Sequence, residues 1–272
     1  MSEEPVGGRW ALLVEFDGAR FHGWQRQANA LGVQEALETA LARVAQGPVR
    51  TMAAGRTDAG VHALGLVVHF DAPQPRPAKA WIQGTNKHLP EGASVVAARP
   101  VPAAFDARRS AQGRTYLYRV LGRLGRPGLE AGAVAWVPRL LDADAMAAGA
   151  RHLEGAYDCS AFRAAGCQAT DPVRHIQRVA VWSQGPEIRV AVRATAFLYN
   201  MVRIMVGSLL EVGLGRQNPE WIAAVRESRN REWAGPTARP EGLYFAAVHY
   251  PSELGAPEPP RIGPGGFDPA AF

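Results

Sequence analysis

Lysine is almost missing from this chain. Of its 30 Lys and Arg side chains only Lys79 and Lys87 are lysine, which leaves 28 arginines. Cysteine is as scarce: Cys159 and Cys167 are the two present, and one close pair supports neither a disulfide framework nor a zinc site, so both read as small apolar side chains. No uncharged run comes near the roughly 18 residues that suggest a membrane span. The opening "MSEEPVGGRW" is acidic and carries no apolar signal segment, which predicts a cytoplasmic protein. Also absent are a G-x-G-x-x-G fingerprint, a P-loop and an H-E-x-x-H helix, so no motif of the sequence suggests a cofactor such as a nicotinamide, a flavin or a metal.

With 272 residues, 47% of them hydrophobic, the chain can bury a full core as one large domain or two ordinary ones. Its formal net charge of +5 points toward a polyanionic partner, and arginine is the cation that meets phosphate bidentately and stacks on bases. A GC-rich gene or a hot habitat produces the same arginine excess. Charge alone therefore does not choose the partner.

Apolar periodicity divides the chain into two similar halves. In the first, alternation predicts strands at 10–16, 49–55, 64–70 and 94–101, clearest where Leu64, Leu66, Val68 and Phe70 share a face. Val33, Leu37, Leu41 and Val44 recur at helical spacing over 33–47, before Gly47, and a second helix is expected at 77–89. The order is βαββαβ. After a Pro-containing joint it repeats, with strands at 114–121, 174–182, 188–197 and 242–250, helices at 142–155 and 200–213, and an extra helix at 219–228. This predicts an α+β fold of two similar split-βαβ, ferredoxin- or RRM-like, halves around a mainly antiparallel central sheet, with a catalytic cleft on the faces that the helices leave open. The expected divisions are 1–105, 106–250 and a Pro/Gly-rich tail at 251–272, which cannot build a core and should be extended or disordered.

Chemistry concentrates in "AAGRTDAGVHALGLVVHF" (53–70), where Arg56 and Asp58 lie between glycines at the start of an alternating strand. Glycine permits a sharp turn, so this segment presents charge instead of hiding it. Read in isolation, an Asp after Gly and Thr is a turn former, His62 a loop-packing residue and His69 a satisfied strand histidine. In "GARFHGWQRQ", Trp24 either anchors its loop or joins Arg20, His22 and Arg26 in a grip on backbone phosphate. Arg108, Arg109 and Arg114 form a second such patch or a solvated face.

The loop "GRTDAGVHA" (55–63) resembles the signature loop of the tRNA pseudouridine synthase A family. "EFDGARFHGWQRQ", "FDARRSAQGRTYLYRV", "GAYDCSAFRA", "FLYNMVRIMVGSLLEVGLG" and "EGLYFAAVHYP" resemble the same family in matching order, so that the likeness spans roughly 10–251. Pro240 stands one position later than the family pattern, and the tail has no counterpart in it. The resemblance implies a homodimeric enzyme that converts uridine to pseudouridine at positions 38, 39 and 40 of the tRNA anticodon stem-loop without a cofactor. It implies Asp58 as the catalytic aspartate, Tyr116 as an active-site tyrosine that also meets the substrate, Arg203 as the cation beside Asp58, and Arg56 as the side chain that helps expel the target base. Strand spacing alone leaves Tyr116 and Tyr118 equivalent, because both lie on one face. Without the family, Tyr116 would read as strand packing and Arg203 as a partly exposed helix charge. Two other classes fit the same residues. A non-catalytic binder of structured RNA would leave Asp58 as an anion on an anion-binding surface, and a hydrolase using Asp58 as nucleophile would release free uracil.

Overall fold

A computed structural model describes residues 6–258, 267–269 and 272, so 259–266 and 270–271 of the expected tail lie outside the described residues. The strands are β1 (Val6–Phe16), β2 (Met52–Ala53), β3 (His62–Arg76), β4 (Ala93–Pro100), β5 (Gly113–Gly122), β6 (Ala135–Val137), β7 (Gly155–Asp158), β8 (Val173–Gln184), β9 (Glu187–Ala194) and β10 (Leu243–His249). The α-helices are α1 (Val33–Ala45), α2 (Ala143–Ala150), α3 (Met201–Gly213) and α4 (Trp221–Ser228). Two compact units result: Met1–Gln112 with Tyr244–Phe272, and Gly113–Leu243. The last strand, expected in the second half, belongs with the first unit.

In the first unit β1 lies between β4 and β3, antiparallel to both, and β2 adds to β3, which gives the order β4-β1-β3-β2 of a split βαβ unit. Trp10, Ala11, Leu12, Leu13 and Val14 are all buried, so β1 reads as an unbroken apolar run covered on both faces. The strand expected over 49–55 contracts to Met52–Ala53. Pro48 has no N–H for a ladder, and the Thr51 N–H donates to the Glu38 carboxylate at 2.9 Å. α1 stops short of Gly47 because Gln46 turns left-handed (φ 56°), and the N–H groups of Gln46 and Gly47 both fold back to the Ala42 carbonyl. The helix expected at 77–89 contains a π turn, Ala80–Gly84. In that turn Trp81 is fully buried, with ring centroids 5.0 Å from Phe70 and 6.2 Å from Trp10.

The second unit holds an antiparallel sheet in the order β5-β9-β8-β7, with β6 joined to β5 in parallel. β6 and β7 are too short to leave a periodic signal, and the sequence reading has no strand at either place. α2 starts behind Asp142, whose carboxylate accepts the Ala145 N–H at 2.9 Å, and it gives way to a 3-10 turn at Arg151–Leu153. α3 is buried on most sides, as its apolar composition requires. Arg119 and Arg189 are directly opposite each other on β5 and β9 and share the Glu187 carboxylate, each at 2.8 Å. Burial raises the Glu187 carboxyl, but the two guanidiniums outweigh it and hold the group below its usual range. These two buried arginines are structural.

Candidate active site

The Asp58 loop leaves the first sheet where the edge of β3 changes partner. β2 occupies that edge at Val68 and His69, and β10 pairs with it in parallel at His62 and Ala63. Between those pairings the chain departs at Ala54, whose N–H still donates to the Val67 carbonyl at 2.9 Å, and it returns at Val61, whose N–H closes a turn on the Asp58 carbonyl at 3.1 Å. Arg56 is exposed, Thr57 buried and Asp58 half-buried. The buried Thr57 hydroxyl has no hydrogen-bond partner among the described residues.

A strap from Asp17 to Trp24 lies across this loop. The Trp24 N–H donates to the Thr57 carbonyl at 3.0 Å. Gly23 is left-handed (φ +83°), and a Cβ on it would sit 2.6 Å from the Thr57 oxygen. At Gly18 a Cβ would lie 2.1 Å from the Val61 oxygen. The Trp24 ring is 2% exposed and packs against Phe16 at 6.4 Å, so of its two readings the anchor is the one this burial supports. Arg20 is exposed but paired with Asp17 (3.4 Å) and Glu91 (3.1 Å). Arg26 is paired with Glu38 (3.5 Å) at the edge of a cleft of about 810 Å³ that Arg43 and Arg50 also line. His22 is exposed, and its carbonyl accepts from Gln27.

Arg108 and Arg109 sit exposed on a turn that is tied down from several directions. Both backbone N–H groups donate to one Asp106 carboxylate oxygen at 2.8 Å. Burial raises the Asp106 carboxyl, yet these two donors prevail and the group ends below its usual range. His69 Nδ1 accepts the Ala107 N–H at 3.0 Å, the Tyr250 hydroxyl donates to the Ala107 carbonyl at 2.6 Å, and Arg9 donates to the carbonyls of Ala103 and Phe105. Arg9 and Tyr250 carry no sequence signal for this task, since each acts by a side chain that donates to backbone carbonyls far away in the chain.

The second unit carries the other candidates. Tyr116 lies on β5 opposite Val192, half-buried, with its ring edge-on to Phe197 at 4.9 Å. Tyr118 is fully buried, its hydroxyl donates to the Arg239 carbonyl at 2.9 Å, and burial pushes its phenol far above the usual range. The two tyrosines that spacing could not separate thus differ in environment. Arg203, in the first turn of α3, is half-buried. Its Nε donates to the Ala238 carbonyl at 2.7 Å and its Nη1 to the Asn200 carboxamide at 2.9 Å, while Ala238 N–H returns a bond to the Arg203 carbonyl at 3.0 Å. Asn200 is itself left-handed (φ 57°), which turns its side chain back toward the helix start. Arg114 donates from Nη1 to the Thr195 carbonyl at 2.9 Å. Among the described residues no group of three or more His, Cys, Asp or Glu side chains is arranged to hold a metal, and no helix is long and apolar enough to cross a membrane.

A family model described as tRNA pseudouridine synthase matches residues 12–108 and 150–251. A tRNA pseudouridine synthase A of Dechloromonas aromatica is 49% identical over 251 residues, covering 92% of this chain and 96% of the relative. Proteins of the same description from Methylibium petroleiphilum and Paraburkholderia xenovorans are each 48% identical over 92% of this chain and 96% and 93% of their own lengths. These matches put the chain among the isomerases that make pseudouridine. It belongs to the tRNA pseudouridine synthase family.

Proposed function

We propose that the protein isomerises uridine to pseudouridine at positions 38, 39 and 40 in the anticodon stem-loop of tRNA, as a cytoplasmic homodimer and without a cofactor. The reaction breaks the bond from ribose C1′ to uracil N1 and forms one from C1′ to C5; the C5 hydrogen leaves as a proton and N1 gains one, so no electrons enter or leave. It calls for a carboxylate, as nucleophile or as base for a sugar proton. Asp58 takes that part. The observation that carries the reading is the Asp58 loop itself, fixed through backbone bonds at Ala54, Thr57 and Val61, with Asp58 half-buried and Arg56 exposed two residues away.

A carboxylate held away from water needs a fixed cation, and removing one partner of a buried ion pair costs about 3 to 5 kcal/mol. Arg203 is the side chain assigned that part in this proposal; its guanidinium is held by the Ala238 carbonyl and the Asn200 carboxamide. Tyr116 offers uracil a flat face and a hydroxyl that can pass a proton. Arg56 enters the space left by the extruded base, whose unstacking costs a few kcal/mol. Arg20, Arg26, Arg108, Arg109 and Arg114 meet phosphates, while Trp24 works from behind the loop. Incubation with unmodified tRNA followed by nucleoside analysis is expected to yield pseudouridine and no free uracil. Asp58→Asn should bind tRNA nearly as tightly as wild type and form none; substantial turnover by that variant would overturn the assignment.

A further inference from the structure

We infer that His62 is a positioning residue for Asp58, acting through the Asp17–Trp24 strap; the inference rests on Asp58 being the reacting carboxylate. His62 opens β3 and is 4% exposed. Its Nδ1 accepts the N–H of buried Gly18 at 3.0 Å. Its ring stacks on Tyr244, centroids 4.6 Å apart and planes within 20°, and its backbone pairs with Tyr244 in the parallel contact between β3 and β10. Its neighbour Val61 closes the turn on the Asp58 carbonyl. One imidazole therefore joins the strap, the loop and the last strand, three pieces widely separated in the chain.

The direction of the Gly18 bond fixes the ring's role. An Nδ1 that accepts leaves the ring hydrogen on Nε2. The Asp17 carboxylate oxygen lies 3.2 Å from the same Nδ1, and it is occupied from its other side by the Ala19 N–H at 3.0 Å. With Gly18 seated, the strap presses on Val61 and reaches Thr57 through Trp24, so the backbone is held on both sides of Asp58. Moving a reacting group by 1 Å costs on the order of 100-fold in rate. Loss of the Nδ1 acceptor should therefore cost rate and not tRNA binding.

The test compares His62→Asn, whose amide oxygen falls near the Nδ1 position, with His62→Gln, whose oxygen falls near Nε2 and misses Gly18. Single-turnover pseudouridine formation at saturating tRNA, tRNA Kd and Tm are measured for both. His62→Gln is expected to lose roughly 10- to 100-fold in rate with Kd unchanged, and His62→Asn to keep most of the rate. Equal losses in the two variants, or a loss that appears in Kd, would overturn the inference. Should His62→Gln fail to fold, Gly18→Ala breaks the same seat with His62 intact and is expected to show the same rate loss; wild-type rate there would overturn the inference too. Asp58→Asn is measured alongside. If it turns over, the reading of Asp58 and this inference fail together; if it is dead while His62→Gln is fully active, only the positioning role fails.

Discussion

Tyr116 and Tyr118 show what one side chain's surroundings decide. The Tyr118 hydroxyl is spent on the Arg239 carbonyl deep in the second unit, so Tyr118→Phe should keep turnover and lose stability, by about 1 to 3 kcal/mol for the partner left unsatisfied. Tyr116→Phe keeps the edge-on contact with Phe197 and should show a sharp fall in turnover. Urea unfolding and a turnover assay on both variants check the pair, and the opposite pattern would exchange their roles. At this scale a compact motif marked Arg56 and Asp58 as candidates, and the structure puts them exposed and half-buried on a loop held by backbone bonds. The sequence was silent where a role depends on depth, as with Trp24, because spacing says which face a residue shares but not how far inside that face lies.

The turn that carries Arg108 and Arg109 is an element built almost wholly from side chains binding backbone. His69 must be neutral at Nδ1 to accept from Ala107, and burial first, then Arg9, lower its pKa against the opposing pull of Asp106 and Asp71. A base whose pKa falls on folding binds fewer protons folded than unfolded, so its contribution is present above the unfolded value near 6.5 and is lost as pH drops through the folded one. Asp71, held down by its hydrogen bond to Arg9, and Asp106 act in the same direction further into acid. Urea midpoints should fall between pH 7.5 and pH 5.5, and the fall should shrink in His69→Gln; an unchanged fall would clear His69 of the effect. Most strands and helices were legible from period alone. Those that were missed or changed had local causes outside any period: Pro48 and the Glu38 acceptor shortened β2, Gln46 ended α1, and β6 and β7 were too brief to repeat.

For the molecule as a whole, the arginine excess divides into cations with internal work and cations offered outward. Arg119 and Arg189 are buried and share Glu187, whereas Arg108 and Arg109 are exposed on a braced turn. Log affinity for tRNA should fall linearly with log salt, and Arg108→Ala with Arg109→Ala should make the slope shallower by roughly 1 to 2, more than Arg20→Ala does. Titrations at several salt concentrations read this directly; a slope that ignores the double variant would remove that turn from the RNA surface. The assignment of β10 to the first unit was not legible, since a strand's sequence records its own pattern and not its neighbour. The strap has the same character, and it bears on how transferable the signature is. The shape of residues 55–63 is imposed by Gly18, Gly23 and Trp24 from an earlier part of the chain. Grafted alone onto the rim of another sheet, those residues would carry the spelling of the motif without its conformation, so a designer who wanted the carboxylate in place would have to transplant two segments and the seat between them.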